Sequence, residues 1–156
     1  MSTLLTAIAG LPNACEPIAG LVTGGQPTAD QLAALQAAGC EAVVDLRDAM
    51  EPRPVNEPAA VQSVGMAYVN IPVSGATMTD ATLTRVRDAV SNLVGDRNVF
   101  MHCGSGNRVG AVLIPYLILD KGMGEEAAIE VAMKVGIRSA ELLERALDYV
   151  KRTGKS

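Results

Sequence analysis

Short runs rich in β-branched residues alternate along this chain with amphipathic runs of helical periodicity. This alternation predicts an α/β fold, in which right-handed helical crossovers join parallel strands. Hydrophobic residues make up 49% of the 156 residues, which suffices for one core at a length typical of one domain. We therefore expect a single domain over residues 1–156, with a mainly parallel central sheet flanked by helices.

Turn residues and helix caps locate the predicted elements along the chain. Buried strands are predicted over residues 41–46, 68–73 and 98–102. Helices are predicted over about residues 28–38, 57–64, 80–94, 109–119, 125–135 and 140–152. Gly39 and Gly65 are placed to end the first two helices in a left-handed conformation, and Pro115 is expected to perturb the fourth. A loop between the first two strands is indicated by Pro52, Pro54 and Pro58.

Charge and aromatic content exclude several classes of partner. The 13 basic and 17 acidic residues give a net charge of -4, which disfavours nonspecific attraction to nucleic acid or anionic membranes. With no Trp, one Phe and three Tyr, the chain lacks a platform on which bases could stack. The longest apolar run, residues 109–119, is too short to cross a bilayer. We expect no nucleic-acid or membrane partner, and the oligomeric state stays open.

The cysteines and the histidine restrict the compartment and the metal chemistry. Cys15, Cys40 and Cys103 form neither a CxxC pair nor a disulfide framework, and the first nine residues lack the basic region of an export signal. Together these features predict a reducing, cytoplasmic location. Because His102 is the only histidine, zinc sites built on several His ligands are disfavoured, and no metal or cofactor is predicted.

One segment carries residues suited to chemistry, the run His102-Cys103-Gly104-Ser105-Gly106-Asn107-Arg108 between the third predicted strand and a helix. In open α/β sheets, ligands bind at the carboxyl ends of the strands. The glycines let the backbone curl so that N–H groups point inward, and the helix N-terminus adds positive potential. The run therefore predicts a cradle for an anion, formed by His102, Gly104, Ser105, Gly106 and Asn107.

Cys103 and Arg108 are the predicted catalytic residues of this cradle. The surrounding N–H groups, the helix terminus and the guanidinium favour a thiolate at Cys103 over a thiol. Arg108 supplies a planar fork for two oxygens of a phosphate-like anion, and His102 is placed to organise the loop through hydrogen bonds. The alternative of an inert, buried cysteine suits Cys15 and Cys40 better, because packing alone requires no glycine loop followed by arginine and a helix.

The pattern His102-Cys103-x-x-Gly106 followed by Arg108 resembles the phosphate-binding loop of cysteine-dependent protein tyrosine phosphatases. Residues 23–27, 44–47, 68–72 and 105–111 are similar to the bacterial phosphatase-like domain that is also found fused to β-lactamase-fold hydrolases. The resemblance covers about residues 21–136. It implies the tyrosine-phosphatase fold and a thiolate that attacks a phosphate ester or another small oxyanion bound in the loop.

Three departures from the phosphatase pattern bear on mechanism. Cys103 and Arg108 are separated by four residues, one fewer than in the family, so the cradle is smaller. Val109 stands where a Ser or Thr usually assists the departing thiolate, so breakdown of a phosphocysteine is expected to be slow. Residues 74–78 contain no carboxylate to serve as the usual general acid, and Asp80 is better explained as a favourable charge in the first turn of a helix.

Two alternatives to phosphatase chemistry remain open at this point. A six-residue loop with glycine at its fourth position, Gly106, also resembles the active loop of rhodanese-type sulfurtransferases, which carry sulfur as a cysteine persulfide. Sulfur transfer from thiosulfate needs no protonated leaving group, so a missing acid would be harmless there. The second alternative is an inactive oxyanion-binding module, although such a module has no need of Cys103. Phosphatase chemistry ranks first because of His102 and the wider resemblance.

Five further polar residues have weaker claims: Asp45, Arg47, Asp48, Glu51 and Glu57. The first three end a strand predicted beside residues 98–102, where they would rim the pocket or form a surface ion pair. Glu51 and Glu57 are the best substitute acids, although a charge at a helix start explains Glu57 nearly as well. Residues 24–27 read as a turn, which the family resemblance places near the active face.

Overall fold

The computed structural model describes residues 3–48, 50, 51, 56–74 and 78–154. Its strands are β1 (Cys15–Ile18), β2 (Leu21–Gly24), β3 (Cys40–Asp45), β4 (Ala67–Asn70) and β5 (Asn98–His102). Its helices are α1 (Thr3–Ala7), α2 (Ala29–Ala37), α3 (Glu57–Ser63), α4 (Asp80–Leu93), α5 (Asn107–Pro115), α6 (Glu125–Val135) and α7 (Ala140–Thr153), and a π-helical turn, Tyr116–Asp120, follows α5. None of the helices in these ranges has the length and apolar character needed to cross a bilayer. The predictions that concern Pro52, Pro54 and residues 75–77 lie outside the described residues.

One sheet of five strands, in the order β1-β2-β5-β3-β4, forms the centre of the fold. The strands β2, β5, β3 and β4 pair in parallel, and β1 pairs with β2 in the antiparallel sense. In this register Gly24 and Asp45 both lie beside His102, and Asn70 lies beside Asp45. The carboxyl ends of four strands therefore meet at one edge of the sheet, and the predicted fold class is confirmed.

Side-chain caps begin two of the helices, and glycines end two of them as the sequence predicts. The hydroxyl oxygens of Thr28 and Thr79 accept hydrogen bonds from backbone N–H groups in the first turns of α2 and α4. Gly39 and Gly65 follow α2 and α3 with φ angles of 99° and 82°, the left-handed conformation that glycine adopts without steric cost.

The structure differs from the predicted elements in three places. The strand predicted over residues 68–73 ends at Asn70. The N–H groups of Ile71 and Val73 still donate, both at 2.9 Å, to the carbonyl oxygens of Asp45 and Leu46. The helix predicted over residues 109–119 begins at Asn107 and stays α-helical only to Pro115, which has no N–H to donate. The elements α1, β1 and β2 are not among the predicted elements, and each is only four or five residues long.

Apolar side chains cover both faces of the sheet. Val99 and Met101 of β5 are buried on the face that carries α4, α5, α6 and α7. Phe100, which lies between these two residues in the sequence, is buried on the opposite face, which carries α1, α2 and α3. Successive side chains of a strand point to opposite faces, so a strand covered on both sides reads as a continuous apolar run. The two cores therefore hold β5 and the loop that follows it from both sides.

Close packing of α5 against α6 positions the start of α5. A Cβ atom placed on Gly110 would lie 2.8 Å from the Ala132 carbonyl oxygen and 3.0 Å from the Ile137 nitrogen. Both contacts are with backbone, which cannot yield as a flexible side chain does. Glycine at position 110 thus sets how near the two helices approach.

We predict that Gly110→Ala destabilises the protein by about 1–3 kcal/mol, the usual cost of overpacking a core. The measurement is the free energy of unfolding in urea. Gly124→Ala is the matched control, because a Cβ atom at Gly124 would meet nothing within 4 Å and its φ of -66° suits any residue. Equal effects of the two substitutions would mean that close approach at Gly110 is unimportant.

Candidate active site

The candidate site is the loop that joins β5 to α5, residues 103–106, together with Arg108 in the first turn of α5. Cys103 is buried at the base of this loop. The N–H of Gly106 donates a hydrogen bond to Cys103 Sγ at 3.0 Å. Gly106 has a φ of 105°, and this left-handed residue turns the chain from the loop into the helix. The loop therefore points a backbone donor at the sulfur, as the sequence predicts.

The turn between β2 and α2 lies directly against this loop. The N–H of Gln26 donates to the Gly104 carbonyl oxygen at 3.2 Å, and the N–H of Cys103 donates to the Gly24 carbonyl oxygen at 3.4 Å. A Cβ atom on Gly25 would lie 2.7 Å from the Gly104 carbonyl oxygen, so only glycine fits there. Residues 24–27 are thus a supporting turn of the loop, next to the active face where the resemblance places them.

Arg108 is held in place by Glu51. Its Nη1 and Nη2 donate to the two carboxylate oxygens of Glu51 at 2.6 and 2.7 Å, and Nη1 also donates to the Val73 carbonyl oxygen at 3.1 Å. The hydrogen bonds from Arg108 lower the pKa of Glu51, despite an opposing effect of burial. The hydrogen bonds to Glu51 raise the pKa of Arg108, and the nearby Cys103 sulfur raises it further. Both groups therefore carry their charges at neutral pH.

A buried ionic cluster lies beneath the loop and consists of Asp45, Arg47, Glu57 and His102. Arg47 donates to Asp45 through Nε and Nη2, both at 3.0 Å, and to Glu57 through Nη2 at 3.1 Å. His102 contacts the Glu57 carboxylate through Nε2, and its Nδ1 lies 3.2 Å from the Cys103 carbonyl oxygen. His102 is thereby placed behind the loop, where it links the cluster to Cys103.

This cluster corrects the prediction that Asp45 and Arg47 rim the pocket or form a surface pair. Their side chains are 0% and 2% exposed, because β3 is an inner strand covered by its neighbours and by α3. Tyr68 Oη donates to Asp45 at 2.6 Å and Gln26 Nε2 donates to Glu57 at 3.1 Å, so the carboxylates have further donors. Such pairing is what a buried charge requires.

Charge balance within the cluster determines its response to acid. Burial raises the pKa of Asp45, but hydrogen bonds from Arg47, the nearby His102 and Tyr68 outweigh burial and hold the pKa below its ordinary value of 3.8. Arg47 has a raised pKa, since its carboxylate partners outweigh its desolvation. The stabilisation from ionised Asp45 is therefore complete above pH 3.8 and is lost as the pH falls through the lower folded value. Ligand atoms of Asp45, Glu57 and His102 lie within 4.8 Å of one another, but Arg47 already contacts both carboxylates.

The other predicted acids are engaged elsewhere. Glu57 opens α3 as expected, but it is fully buried in the cluster and has no route to solvent. Asp80 lies in the first turn of α4, where it pairs with Arg152 on the surface. The backbone N–H of Asp48 donates to Glu51 at 2.6 Å. Among the described residues, only Glu51 brings a carboxylate into contact with Arg108.

The remaining cradle residues have different surroundings. Asn107 opens α5, and its Oδ1 accepts a hydrogen bond of 2.7 Å from the Arg138 N–H between α6 and α7. The Ser105 carbonyl oxygen accepts a hydrogen bond of 2.7 Å from Asn13 Nδ2, across 92 residues of sequence. No motif surrounds Asn13 in the sequence, so no local signal indicates this contact. Of the other cysteines, Cys40 is buried as expected, and burial raises the pKa of its thiol to about 11.

Comparison with known proteins gives a family and a set of similar folds. A family model described as "DSP-PTPase phosphatase fused to NAD+ Kinase" matches residues 13–146. A beta-lactamase hydrolase-like protein of Xylella fastidiosa (strain Temecula1) is 29% identical over 136 residues, which are 85% of this chain and 30% of that protein. A similar protein of Agrobacterium fabrum is 36% identical over 92 residues, which are 56% of this chain and 21% of that protein. The chain thus spans less than a third of these relatives.

Several solved structures share this fold. A putative phosphatase (DUF442) from Shewanella putrefaciens superposes with a TM-score of 0.79 at 18% identity, over 95% of this chain and 97% of that one. Tk-PTP in its active form gives a TM-score of 0.76 at 19% identity, over 90% of this chain and 98% of that one. TpbA of P. aeruginosa, solved in complex with pTyr, gives a TM-score of 0.68 at 20% identity, over 92% of this chain and 90% of that one. PTPMT1, solved in complex with PI(5)P, gives a TM-score of 0.77 at 17% identity, over 90% of this chain and 96% of that one.

We predict that Arg47→Met lowers the free energy of unfolding by about 3–5 kcal/mol, because it leaves two buried carboxylates without their cation. The measurement is chemical denaturation at pH 7. Arg145→Met is the control, since it breaks the exposed pair with Glu141, whose side chain is 70% exposed, at a cost below about 1 kcal/mol. A loss at Arg47 no larger than the loss at Arg145 would show that the cluster contributes little to stability.

Proposed function

The chain belongs to the family described as DSP-PTPase phosphatase fused to NAD+ kinase, and from that premise we propose that it hydrolyses phosphate monoesters through a thiolate at Cys103. In the first step Cys103 Sγ attacks phosphorus, an S–P bond forms, and the P–O bond to the ester oxygen breaks. Water then attacks phosphorus, the S–P bond breaks, and inorganic phosphate leaves with the thiolate restored. The family match does not favour the sulfurtransferase alternative.

The observation that carries this proposal is the hydrogen bond of 3.0 Å from the Gly106 N–H to Cys103 Sγ. A donor that stabilises negative charge on sulfur favours the thiolate, which is the nucleophilic form. The N-terminus of α5 and the cationic Arg108 act in the same direction. The sulfur and the anion site therefore share one set of positive groups.

Arg108 is assigned to binding the phosphoryl oxygens. Two hydrogens of Nη1 and one of Nη2 are committed to Glu51 and the Val73 carbonyl oxygen. The Nε hydrogen and the second Nη2 hydrogen make no hydrogen bond to Glu51 or Val73, and they lie on one edge of the planar fork, the geometry that a phosphate accepts in bidentate fashion. Glu51 is a positioning residue in this scheme, because it directs that edge of the guanidinium toward the loop.

Glu51 is not assigned as the general acid. Its lowered pKa keeps it ionised at neutral pH, and an ionised carboxylate has no proton to give to the leaving oxygen. Glu57 is buried, and Asp80 is paired with Arg152. We therefore expect the best substrates to be phosphate esters whose leaving group needs no protonation. An aryl phosphate with an acidic phenol fits this class better than phosphotyrosine or an alkyl phosphate does.

A graded series of aryl phosphates tests the proposed function. We expect kcat/KM to rise steeply as the phenol becomes more acidic, and all turnover to be lost in Cys103→Ser. Glu51→Gln should lower kcat/KM but leave the steep dependence unchanged, because Glu51 positions Arg108 and donates no proton. The series is measured near pH 7, well above the pKa of Glu51.

Three outcomes would contradict this assignment. A flat dependence that becomes steep in Glu51→Gln would make Glu51 the acid, and the same result in Asp48→Asn or Asp80→Asn would assign that residue instead. Rapid consumption of thiosulfate that is lost in Cys103→Ser, with no ester turned over, would establish sulfur transfer. Binding of phosphate without turnover of either substrate would indicate an oxyanion-binding module.

We predict that Arg108→Lys binds vanadate about 10–100-fold more weakly, because an ammonium cannot reproduce the paired hydrogen bonds of a guanidinium to an anion. Calorimetric titration with vanadate measures the affinity. Arg145→Lys, a substitution on the exposed face of α7, serves as the control and should bind as the wild type does. Unchanged affinity in Arg108→Lys would remove Arg108 from the anion site.

A further inference from the structure

The carbonyl oxygens of the loop all have donors outside it. The His102 carbonyl accepts from the Leu46 N–H at 2.9 Å, the Gly104 carbonyl from the Gln26 N–H at 3.2 Å, and the Gly106 carbonyl from the Gly110 N–H at 3.1 Å. The Cys103 carbonyl faces His102 Nδ1. The Ser105 carbonyl alone depends on a side chain distant in sequence, that of Asn13, at 2.7 Å.

Asn13 and the Cys103 sulfur lie on opposite sides of the peptide that joins Ser105 to Gly106. In a planar trans peptide the C=O and the following N–H point in opposite directions. The Ser105 carbonyl points out to Asn13 Nδ2, and the N–H of the same peptide, that of Gly106, points in to Cys103 Sγ at 3.0 Å. A rotated Ser105–Gly106 peptide would instead face the sulfur and any bound anion with a carbonyl oxygen.

Gly106 makes such rotation sterically easy, because glycine accepts conformations on both sides of φ = 0°. Its neighbour Ser105 is preceded by a second glycine, Gly104. The orientation of the peptide therefore depends on its partners: Cys103 on the inside and Asn13 on the outside.

The position of Asn13 is itself restrained from several sides. It adopts a φ of 57°, a left-handed conformation that asparagine tolerates better than most residues. The carbonyl of the preceding residue, Pro12, accepts from the Gly25 N–H at 3.0 Å, and Gly25 lies against the loop. Arg138 Nη2 donates to Asn13 Oδ1 at 3.5 Å, so the amide oxygen faces Arg138 and the amide nitrogen faces Ser105. Glycine at 106 leaves room for this side chain, since a Cβ atom there would lie 3.2 Å from Asn13 Cβ.

From this geometry we propose that Asn13 is a positioning residue, which holds the Ser105–Gly106 peptide so that its N–H faces the Cys103 sulfur and the oxyanion site. The assignment rests on the proposed function of the loop. Asn13 touches neither the sulfur nor the anion, and it acts only through the Ser105 carbonyl. Its loss should weaken anion binding and nucleophilic attack together.

Two variants and one matched control test this role. Asn13→Asp keeps the shape and the tolerance for positive φ but presents an acceptor to the Ser105 carbonyl. Asn13→Gly removes the side chain without backbone strain. Asn98→Asp is the control, because Asn98 Nδ2 also donates to a backbone carbonyl, that of Gly39 at 3.1 Å, beside the amino-terminal end of β5 and away from the loop.

We expect both Asn13 variants to bind vanadate about tenfold more weakly or worse, the factor that corresponds to one lost hydrogen bond to a charged group. Their kcat/KM for an aryl phosphate should fall by a similar factor, with thermal melting temperatures no lower than that of Asn98→Asp. Asn98→Asp should bind and turn over as the wild type does.

Vanadate binding separates this inference from the proposed function, because binding is measured without turnover. If the wild type binds vanadate but hydrolyses no ester, the proposed function fails while the Asn13 comparison still gives an answer. Folded Asn13 variants that bind vanadate as the wild type does would overturn the positioning role. Failure of both variants to fold would also overturn it, since Asn13 would then act on stability alone.

Discussion

The loop between β5 and α5 can turn the Gly106 N–H toward the Cys103 sulfur only while its carbonyl oxygens find donors on the outside. Those donors come from the residue after β3, from the turn after β2, from Asn13 before β1 and from α5 itself. Buried backbone groups left without partners are costly, so the loop conformation depends on all of these segments together. The parallel sheet brings them to one edge, and this arrangement makes the proposed anion site possible.

A second constraint comes from the buried ionic cluster, in which two carboxylates lie next to the loop. Asp45 and Glu57 are stable there because Arg47 joins them and because His102 contacts Glu57. The cluster connects the end of β3, the start of α3 and the end of β5. It lies one layer behind the sulfur, and Glu51 supports Arg108 from the other side of the site. Charges placed in this way hold both halves of the site.

Local signals explain which features were predicted from sequence. The strand over residues 98–102, the glycine loop after it and the helix over residues 125–135 have clear periodicity, caps or turn residues, and all three form as expected. The short β1 and β2 have no such signal. The sequence predicts that Asp45 and Arg47 rim the pocket or form a surface ion pair, because strand ends in parallel sheets often carry ligands. Their burial depends on the inner position of β3, which no local pattern indicates.

The sequence alone determined the order of elements from α2 onward and the residues that make up the loop, because caps, apolar periodicity and glycines act over a few residues. It placed Cys103 beside Arg108 and a helix N-terminus without reference to the rest of the chain. Only the tertiary structure decided what surrounds that loop. Asn13 meets Ser105 across 92 residues, and Glu51 meets Arg108 across 57. Such contacts depend on strand order and helix packing, and the physical reason that sequence does not reveal them is that hydrogen bonding requires proximity in space, which chain separation does not encode.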